Sequence, residues 1–490
     1  MKTRRRFVAS WVNLQLFALL ACWFVLAAPV SAAGRPNVIL CMADDLGWGD
    51  TGYNGHKTLK TPNLDRLAAA GLRFDRFYAA APVCSPTRGS ALTGRHPYRY
   101  GVFFANVGHL PQEEITLAEL LKEQGYATGF FGKWHLGTLS KTDPSRNRSA
   151  KALAAHYAPP WEHGFDEAFA TESKVPTWDP LVDSGLRRTW WDPITDPAKG
   201  KPYGTPYYHN GPQATENLAG DDSRVIMDRA IPFIRGAVQA AKPFLAVIWF
   251  HAPHLPVVGG EKYTRPYAHL DKHTQHYYGC IAAMDEQMGR LSRELDALGA
   301  ADNTMLWFCS DNGPEGNAKA PGSAGKFRGR KRSLHEGGVR VPGLLRWPAK
   351  IKPGRATNFP ASTLDFPPTV ADVLGIGLDS RPLDGVSLLP LIEGRMTRRP
   401  RPLFFESGNQ QAVSDNQYKL VIVAPNSKRK KPKQGRPTAP PQVMLFDLLA
   451  DPAETTNLAE EKPRIAEAMQ AQLRAWRKSH QTSLAGEDYR

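Results

Sequence analysis

Two short acidic segments hold residues able to bind a hard cation. Ala43-Asp44-Asp45 follows the apolar run Val38 to Met42, and Ser310-Asp311-Asn312 follows Thr304 to Phe308. Carboxylates brought together repel one another, whereas a hard cation collects Asp and Asn oxygens at low cost, so the two clusters together imply a calcium-type site. Either cluster alone reads more readily as a helix cap or turn, where Asp and Asn are favoured. Neither has the His and Cys content of a zinc site. Two more apolar runs end in cationic and proton-transferring groups: Phe131-Gly132 leads to Lys133, Trp134 and His135, and Phe250 leads to His251, Ala252, Pro253 and His254. A lone His at a strand end is commonly a hydrogen-bonded structural residue, but convergence of both segments on the carboxylates would supply acid and base groups.

Cys84 stands apart from the other cysteines. It lies in Ala-Pro-Val-Cys-Ser-Pro-Thr-Arg-Gly, a turn-rich, basic setting, while Cys41, Cys280 and Cys309 sit in apolar runs and read as inert core. So few cysteines in so long a chain do not make a disulfide scaffold.

The elements that must position these groups are legible as alternating patterns. Val38 to Met42, Thr128 to Phe131, Phe244 to Phe250 and Thr304 to Phe308 lack the period-two polarity of an exposed sheet and read as buried strands. Helices are predicted over Pro62 to Ala70, capped by Thr61 and stopped by Gly71, over Thr116 to Gln124 before Gly125, and over Tyr277 to Leu298 before Gly299. This alternation argues for an α/β layered fold, in which ligands bind beyond the carboxyl ends of the strands. Leu136 to Leu218 has no clear periodicity and reads as long surface loops. From about Arg401 the pattern changes to short strands at Leu403 to Glu406, Tyr418 to Val423 and Val443 to Asp447, then a helix from Lys462 to His480.

Taken in order, Asp44-Asp45-Leu46-Gly47, Cys84-Ser85-Pro86-Thr87-Arg88-Gly89 with Leu92-Thr93-Gly94-Arg95, Gly132-Lys133-Trp134-His135-Leu136-Gly137, Pro253-His254, Ser310-Asp311-Asn312-Gly313 and Glu336-Gly337-Gly338-Val339-Arg340-Val341-Pro342 resemble the motifs of the formylglycine-dependent type I sulfatases, of the arylsulfatase and N-acetylgalactosamine-6-sulfatase kind, in the alkaline phosphatase superfamily. The resemblance spans most of residues 37 to 348. It implies a large mixed, mostly parallel sheet between helices, with a smaller C-terminal antiparallel sheet plus helix. It also implies that a maturation enzyme oxidises Cys84 to formylglycine (3-oxoalanine), whose hydrate supplies an oxygen nucleophile. On the same ground, Asp44, Asp45, Asp311 and Asn312 would hold Ca2+ together with the modified Cys84, and Arg88 would steady the hydrate. Lys133 and Lys331 would grip the sulfate oxygens, His254 would protonate the leaving alcohol and His135 would act as base. Lys331 is chosen among several basic residues for its spacing before Glu336-Gly337-Gly338. Arg330 departs from the family, which commonly has glycine there, and adds positive charge beside the site or belongs to a solvated basic loop. Read without modification, Cys84 would instead be a thiolate paired with a His, which leaves the Asp clusters without a purpose.

The substrate expected on this reading is a sulfated carbohydrate or an aryl sulfate. Trp178, Trp190, Trp191, Tyr203, Tyr207 and Tyr208, beside Arg187 and Arg188, suit a sulfated sugar ring, or else simply fix the insertion to the core. A phosphodiesterase or phosphonate hydrolase of the same superfamily, or an inactive protein that binds sulfated polymers, are the alternatives.

The whole chain is compatible with this. Its 490 residues suggest a large domain with a smaller one, placed at 33–400 and 401–490, and its 42 glycines and 41 prolines suit loop-built chemistry. Residues 1–32 combine four basic residues with an apolar run from Phe17 to Val30 and small residues after it, a signal-peptide pattern implying a periplasmic or secreted protein. Without them the chain stays strongly positive, which makes anionic partners plausible but cannot choose among them. Neither nucleic acid nor stable membrane insertion is expected. The basic run Lys428 to Lys433 reads as a solvated hairpin loop rather than an anion-binding patch.

Overall fold

The computed structural model describes residues 34–143, 148, 150–196, 199–378, 381–425 and 440–489. The expected signal peptide and the basic run Lys428 to Lys433 lie outside them.

The four apolar runs become adjacent strands. The main sheet comprises β1 (Asn37–Ala43), β2 (Leu72–Phe74), β3 (Ala127–Lys133), β4 (Glu167–Thr171), β5 (Tyr207–His209), β6 (Phe244–Trp249), β7 (Thr304–Ser310), β8 (Gly343–Arg346) and β9 (Arg355–Thr357). Their order is β9-β2-β8-β7-β1-β6-β3-β4-β5. The five central strands β7, β1, β6, β3 and β4 run parallel, and the sheet turns antiparallel at β8 on one side and β5 on the other.

Alternate residues of each strand feed two different cores, as the pleat requires. Val38, Leu40 and Met42 pack with Ala91, Leu92, Leu117 and Phe366, from helices α2 (Cys84–Thr93), α3 (Leu117–Glu123) and α6 (Phe366–Leu374). Ile39, Cys41 and Ala43 face the opposite layer with Ile226, Ile231, Ile281 and Met284, from α4 (Asp222–Gln239) and α5 (Lys272–Ala297). Apolar burial on both faces explains why these strands show no polar alternation.

Several expectations are corrected by local chemistry. The predicted helix from Tyr277 begins earlier, at Lys272, because the Asp271 side chain accepts from Thr274 N–H and caps it. Helix α1 (Pro62–Ala70) has Thr61 at its cap position, yet that hydroxyl makes no cap bond and donates instead to Asp65. Helix α4 has no counterpart in the sequence reading, since Pro232 interrupts its pattern. Leu136 to Leu218 is not loop throughout: it contributes β4 and β5, and Tyr207 and Tyr208 are buried core residues of the sheet rather than candidate sugar contacts.

The C-terminal strands β10 (Leu403–Ser407), β11 (Gln410–Ser414), β12 (Tyr418–Val423) and β13 (Gln442–Asp447) form an antiparallel meander. Its β11 was not anticipated. One face meets Tyr78, Leu334 and Val339, and the other meets α7 (Pro463–Leu484) through Met469, Leu473 and Trp476.

Candidate active site

The parallel register places four strand ends side by side: Ala43 pairs with Ser310, Met42 with Trp249, and Gly132 with Trp249. Whatever follows these residues must converge. Asp44, Asp45, Asp311, Asn312, Lys133, His135 and Cys84 are all buried there, with Arg88 behind them. Ligand atoms of Asp44, Asp45, Cys84 and His254 lie within 4.8 Å of one another, a cluster able to hold a metal ion. Asp311 joins through Arg88, whose Nη2 lies 2.8 Å from Asp311 Oδ2 and 3.4 Å from Asp44 Oδ2, and through the Asp45 N–H, which donates to Asp311 Oδ1 at 3.1 Å. Asn312 Nδ2 donates to Asp45 Oδ1 at 2.7 Å.

Backbone geometry aims two of these side chains. Asp45 and His135 have φ of 65° and 59°, in the left-handed region that non-glycine residues seldom enter. Gly132, at φ 112°, precedes the Lys133-Trp134-His135 turn, and a β-carbon there would collide with the Trp249 carbonyl. Lys133 and His135 both face the site, while Trp134 is buried in the core between Phe130 and Trp249. Cys84 opens α2, where unpaired backbone N–H groups favour negative charge.

Three carboxyl groups in one buried place cannot all ionise freely. Burial opposes the charge on Asp44, but Lys133 at 2.5 Å, with His254 and Arg88, holds it well below the usual carboxylate range. Burial, then the neighbouring Asp44 charge, pushes Asp311 up to about 7. Burial also raises Asp45, although Lys331 Nζ lies 2.6 Å and 2.8 Å from its two oxygens. Two buried oxygens, Asp44 Oδ1 and Asn312 Oδ1, have no hydrogen-bond partner. Unpartnered buried oxygens beside crowded carboxylates are the donor set a hard divalent cation takes.

The two histidines differ in their bonding. His135 Nε2 lies 2.9 Å from Asn106 Oδ1, an acceptor, so Nε2 carries the proton; Nδ1 is buried with no partner, a lone pair ready to accept. Burial and the Lys133 and Arg88 charges keep this ring neutral. His254 Nδ1 donates to the Leu255 carbonyl at 2.6 Å, and its Nε2 lies 3.5 Å from Asp45 Oδ2. His251 takes no part in the cluster: it is bonded to Asp222 and Thr171, both at 2.7 Å, in the core. Burial pushes the Cys84 thiol up to about 11 despite Lys133 and Lys331, so an unmodified Cys84 is a protonated, poor nucleophile at neutral pH.

The sequence reading missed Asn106, which no motif flags, and the supports of the Lys331 segment. Gln410 Nε2 donates to the Arg332 carbonyl and Gln410 Oε1 accepts from Leu334 N–H, at 2.8 Å and 3.0 Å. Glu454 accepts from the Glu336 N–H at 2.7 Å. Arg330 Nη2 donates to the Glu315 carbonyl at 2.8 Å, which ties the loop to its neighbour.

The model of a family described as sulfatase matches residues 36–376. The chain belongs to the sulfatase family. A second model, described as N-sulphoglucosamine sulphohydrolase, C-terminal, matches residues 324–479 and so includes the meander. This sulfatase is 33% identical to steryl-sulfatase of Mus musculus, covering 93% of this chain and 84% of that one. It is also 33% identical to arylsulfatase A of Bos taurus, covering 93% and 89%. Among solved structures it is similar to Ps i-CgsB, with a TM-score of 0.76 and 26% identity over 92% of this chain and 94% of that one. A second structure of that protein, in complex with k-i-k-neocarrahexaose, gives a TM-score of 0.75 at the same identity and coverage. This sulfatase is accordingly a sulfuric ester hydrolase.

Proposed function

We propose that this sulfatase hydrolyses sulfate esters of a carbohydrate, using Ca2+ held by Asp44, Asp45, Asp311, Asn312 and position 84, with Cys84 converted to formylglycine by a maturation enzyme. The observation that carries the reading is the buried juxtaposition of unpartnered carboxylate and amide oxygens with Cys84 and two lysines. When bound, calcium would supply Lewis acidity toward the sulfate oxygens and stabilise an oxygen nucleophile.

The chain's own residues then have distinct tasks. Lys133 spends one of its three donors on Asp44, and Lys331 bonds both Asp45 oxygens with Glu315 at 3.4 Å; both ammonium groups would turn N–H donors to sulfate oxygens that gain charge at the transition state. Arg88 braces Asp311 and Asp44 from behind. His254 protonates the departing alcohol oxygen through Nε2; burial first, then Lys331 and Lys133, depress its basicity, and the charge of bound sulfate offsets those two cations. His135 Nδ1 takes a proton from position 84, which lets sulfate leave.

The carbohydrate assignment is supported by the k-i-k-neocarrahexaose held by Ps i-CgsB, to which this chain is similar. Export to the periplasm or beyond is supported by the pattern of residues 1–32; among the described residues no helix is long and apolar enough to cross a membrane. The test is the mass of the Cys84 peptide together with turnover of sulfated mono- and polysaccharides, 4-nitrophenyl sulfate and phosphate diesters. Conversion of Cys84 with sulfate release is expected, and Cys84→Ala should be inert but folded. Full activity with an unmodified thiol would overturn the formylglycine assignment, and faster phosphate diester cleavage would overturn the substrate class.

A further inference from the structure

A basic cavity of about 200 Å³ adjoins the site on the side of His254. Its lining includes Lys174, Arg187, Arg188, Asp183, Trp191 and Tyr203, together with Leu255 and Pro256, the two residues that follow His254. Lys174 is close enough for its charge to act on the His254 ring. The cavity therefore begins where the leaving alcohol is expected.

Three features argue against an ordinary solvated basic loop. Trp191 and Tyr203 are 6% and 4% exposed, so the cavity has a fixed aromatic wall, whereas Arg187 and Arg188 beside them are exposed. Two exposed guanidinium groups, Arg187 and Arg188, line the cavity beside a single carboxylate, Asp183, one oxygen of which accepts from the Gly185 N–H at 2.7 Å. Arg188 also sits 5.9 Å from the Trp190 ring centroid, a contact that holds a guanidinium without neutralising it. The volume falls below the roughly 300–1,000 Å³ of pockets that take a whole drug-sized ligand, so it suits one part of a larger substrate.

We infer that this cavity is a subsite for a second anionic group, a sulfate or a carboxylate, carried by the same sugar chain as the sulfate ester being cleaved. The inference rests on the reading of His254 and its neighbours as the reaction centre. Arginine forks pair with either anion, and Lys174 adds a compact donor. The preferred substrate is then a multiply charged saccharide rather than a neutral monosulfate.

The experiment compares kcat/KM of the matured enzyme on matched disaccharides bearing one sulfate, two sulfates, or one sulfate and one uronate. The wild type should prefer a doubly charged member by about tenfold or more, the scale of one charge-assisted hydrogen bond. The Arg187→Ala/Arg188→Ala variant and Lys174→Gln should each reduce that ratio, chiefly through KM, and added salt should narrow it. The two doubly charged members distinguish sulfate from carboxylate. Equal ratios in wild type and variants, or no wild-type preference, would overturn the subsite. If 4-nitrophenyl sulfate and every saccharide resist hydrolysis, it is the reaction reading that fails. Calorimetric binding of the same disaccharides to the Cys84→Ala protein then decides the subsite by the same ratio.

Discussion

Lys419 Nζ, on the C-terminal meander, lies 2.8 Å from Glu336 Oε1 and 3.3 Å from Glu454 Oε1, with all three side chains shut off from solvent. Glu336 also accepts from Tyr78 and Arg340, and it follows Lys331 by five residues. The meander thus fixes the segment that delivers an ammonium group to the site. Lys419→Met leaves two buried carboxylates short of their cation, so we expect a loss of about 3–5 kcal/mol, read from denaturant unfolding. Turnover should fall as well, because the Lys331 segment loosens; an unchanged unfolding midpoint would refute the bracing role.

Asn106 fixes which nitrogen of His135 is free. Asn106→Ala should lower kcat more than KM and alter the pH–rate profile, since the ring can then adopt the other tautomer. His135→Ala should cost on the order of 100-fold or more in kcat. Equal kcat in wild type and Asn106→Ala would show that the tautomer is set elsewhere.

Calcium should stabilise the fold in proportion to the logarithm of its concentration once above its Kd, by about 2.7 kcal/mol at a hundred times Kd. Thermal unfolding in chelator and in rising calcium measures this. Asp311→Asn should flatten the dependence, and a melting temperature indifferent to calcium would remove the ion from the proposal.

Acid should loosen α7. His480 packs on Trp476 at a ring-centroid distance of 3.6 Å and stacks on His96 at 5.0 Å. Burial pushes His480 down to about 3 from an ordinary 6.5, and holds His96 well below its ordinary value. A depressed folded-state pKa means that the unfolded chain binds the proton more readily, so this contribution is complete above about pH 6.5 and fades as pH falls toward 3. Between pH 7 and 4 the melting temperature should fall less steeply in His480→Phe than in wild type.

The strands and the candidate site were legible for the same reason. Runs such as Val38 to Met42 are buried on both faces, so their lack of polar alternation is itself a signal, and the polar residues just past them can only lie at the sheet edge. Motifs after strand ends therefore located Asp44, Lys133 and Asp311 without any knowledge of contacts. Asn106 and Lys419 were invisible because each acts on a residue far away in sequence, and neither lies in a recurring pattern. Helix α4 hid behind Pro232, whose local preference is overridden by the packing of Ile226 and Ile231 against β3 and β6. The burial of Tyr207 and Tyr208 shows the reverse error: aromatic composition said loop, and strand pairing with β4 decided otherwise.

The left-handed backbone at Asp45 and His135 bears on how inactive descendants of such a chain would look. A β-carbon is disfavoured in that conformation, so glycine at either position relieves the main chain while deleting a side chain to which the proposed mechanism gives the holding of calcium or the role of base. Silencing the molecule is then easier than unfolding it. On the proposed mechanism, a relative with an intact silhouette and glycine at one of these two places would be a folded shell, and sorting working copies from idle ones calls for inspecting those two positions before the overall shape.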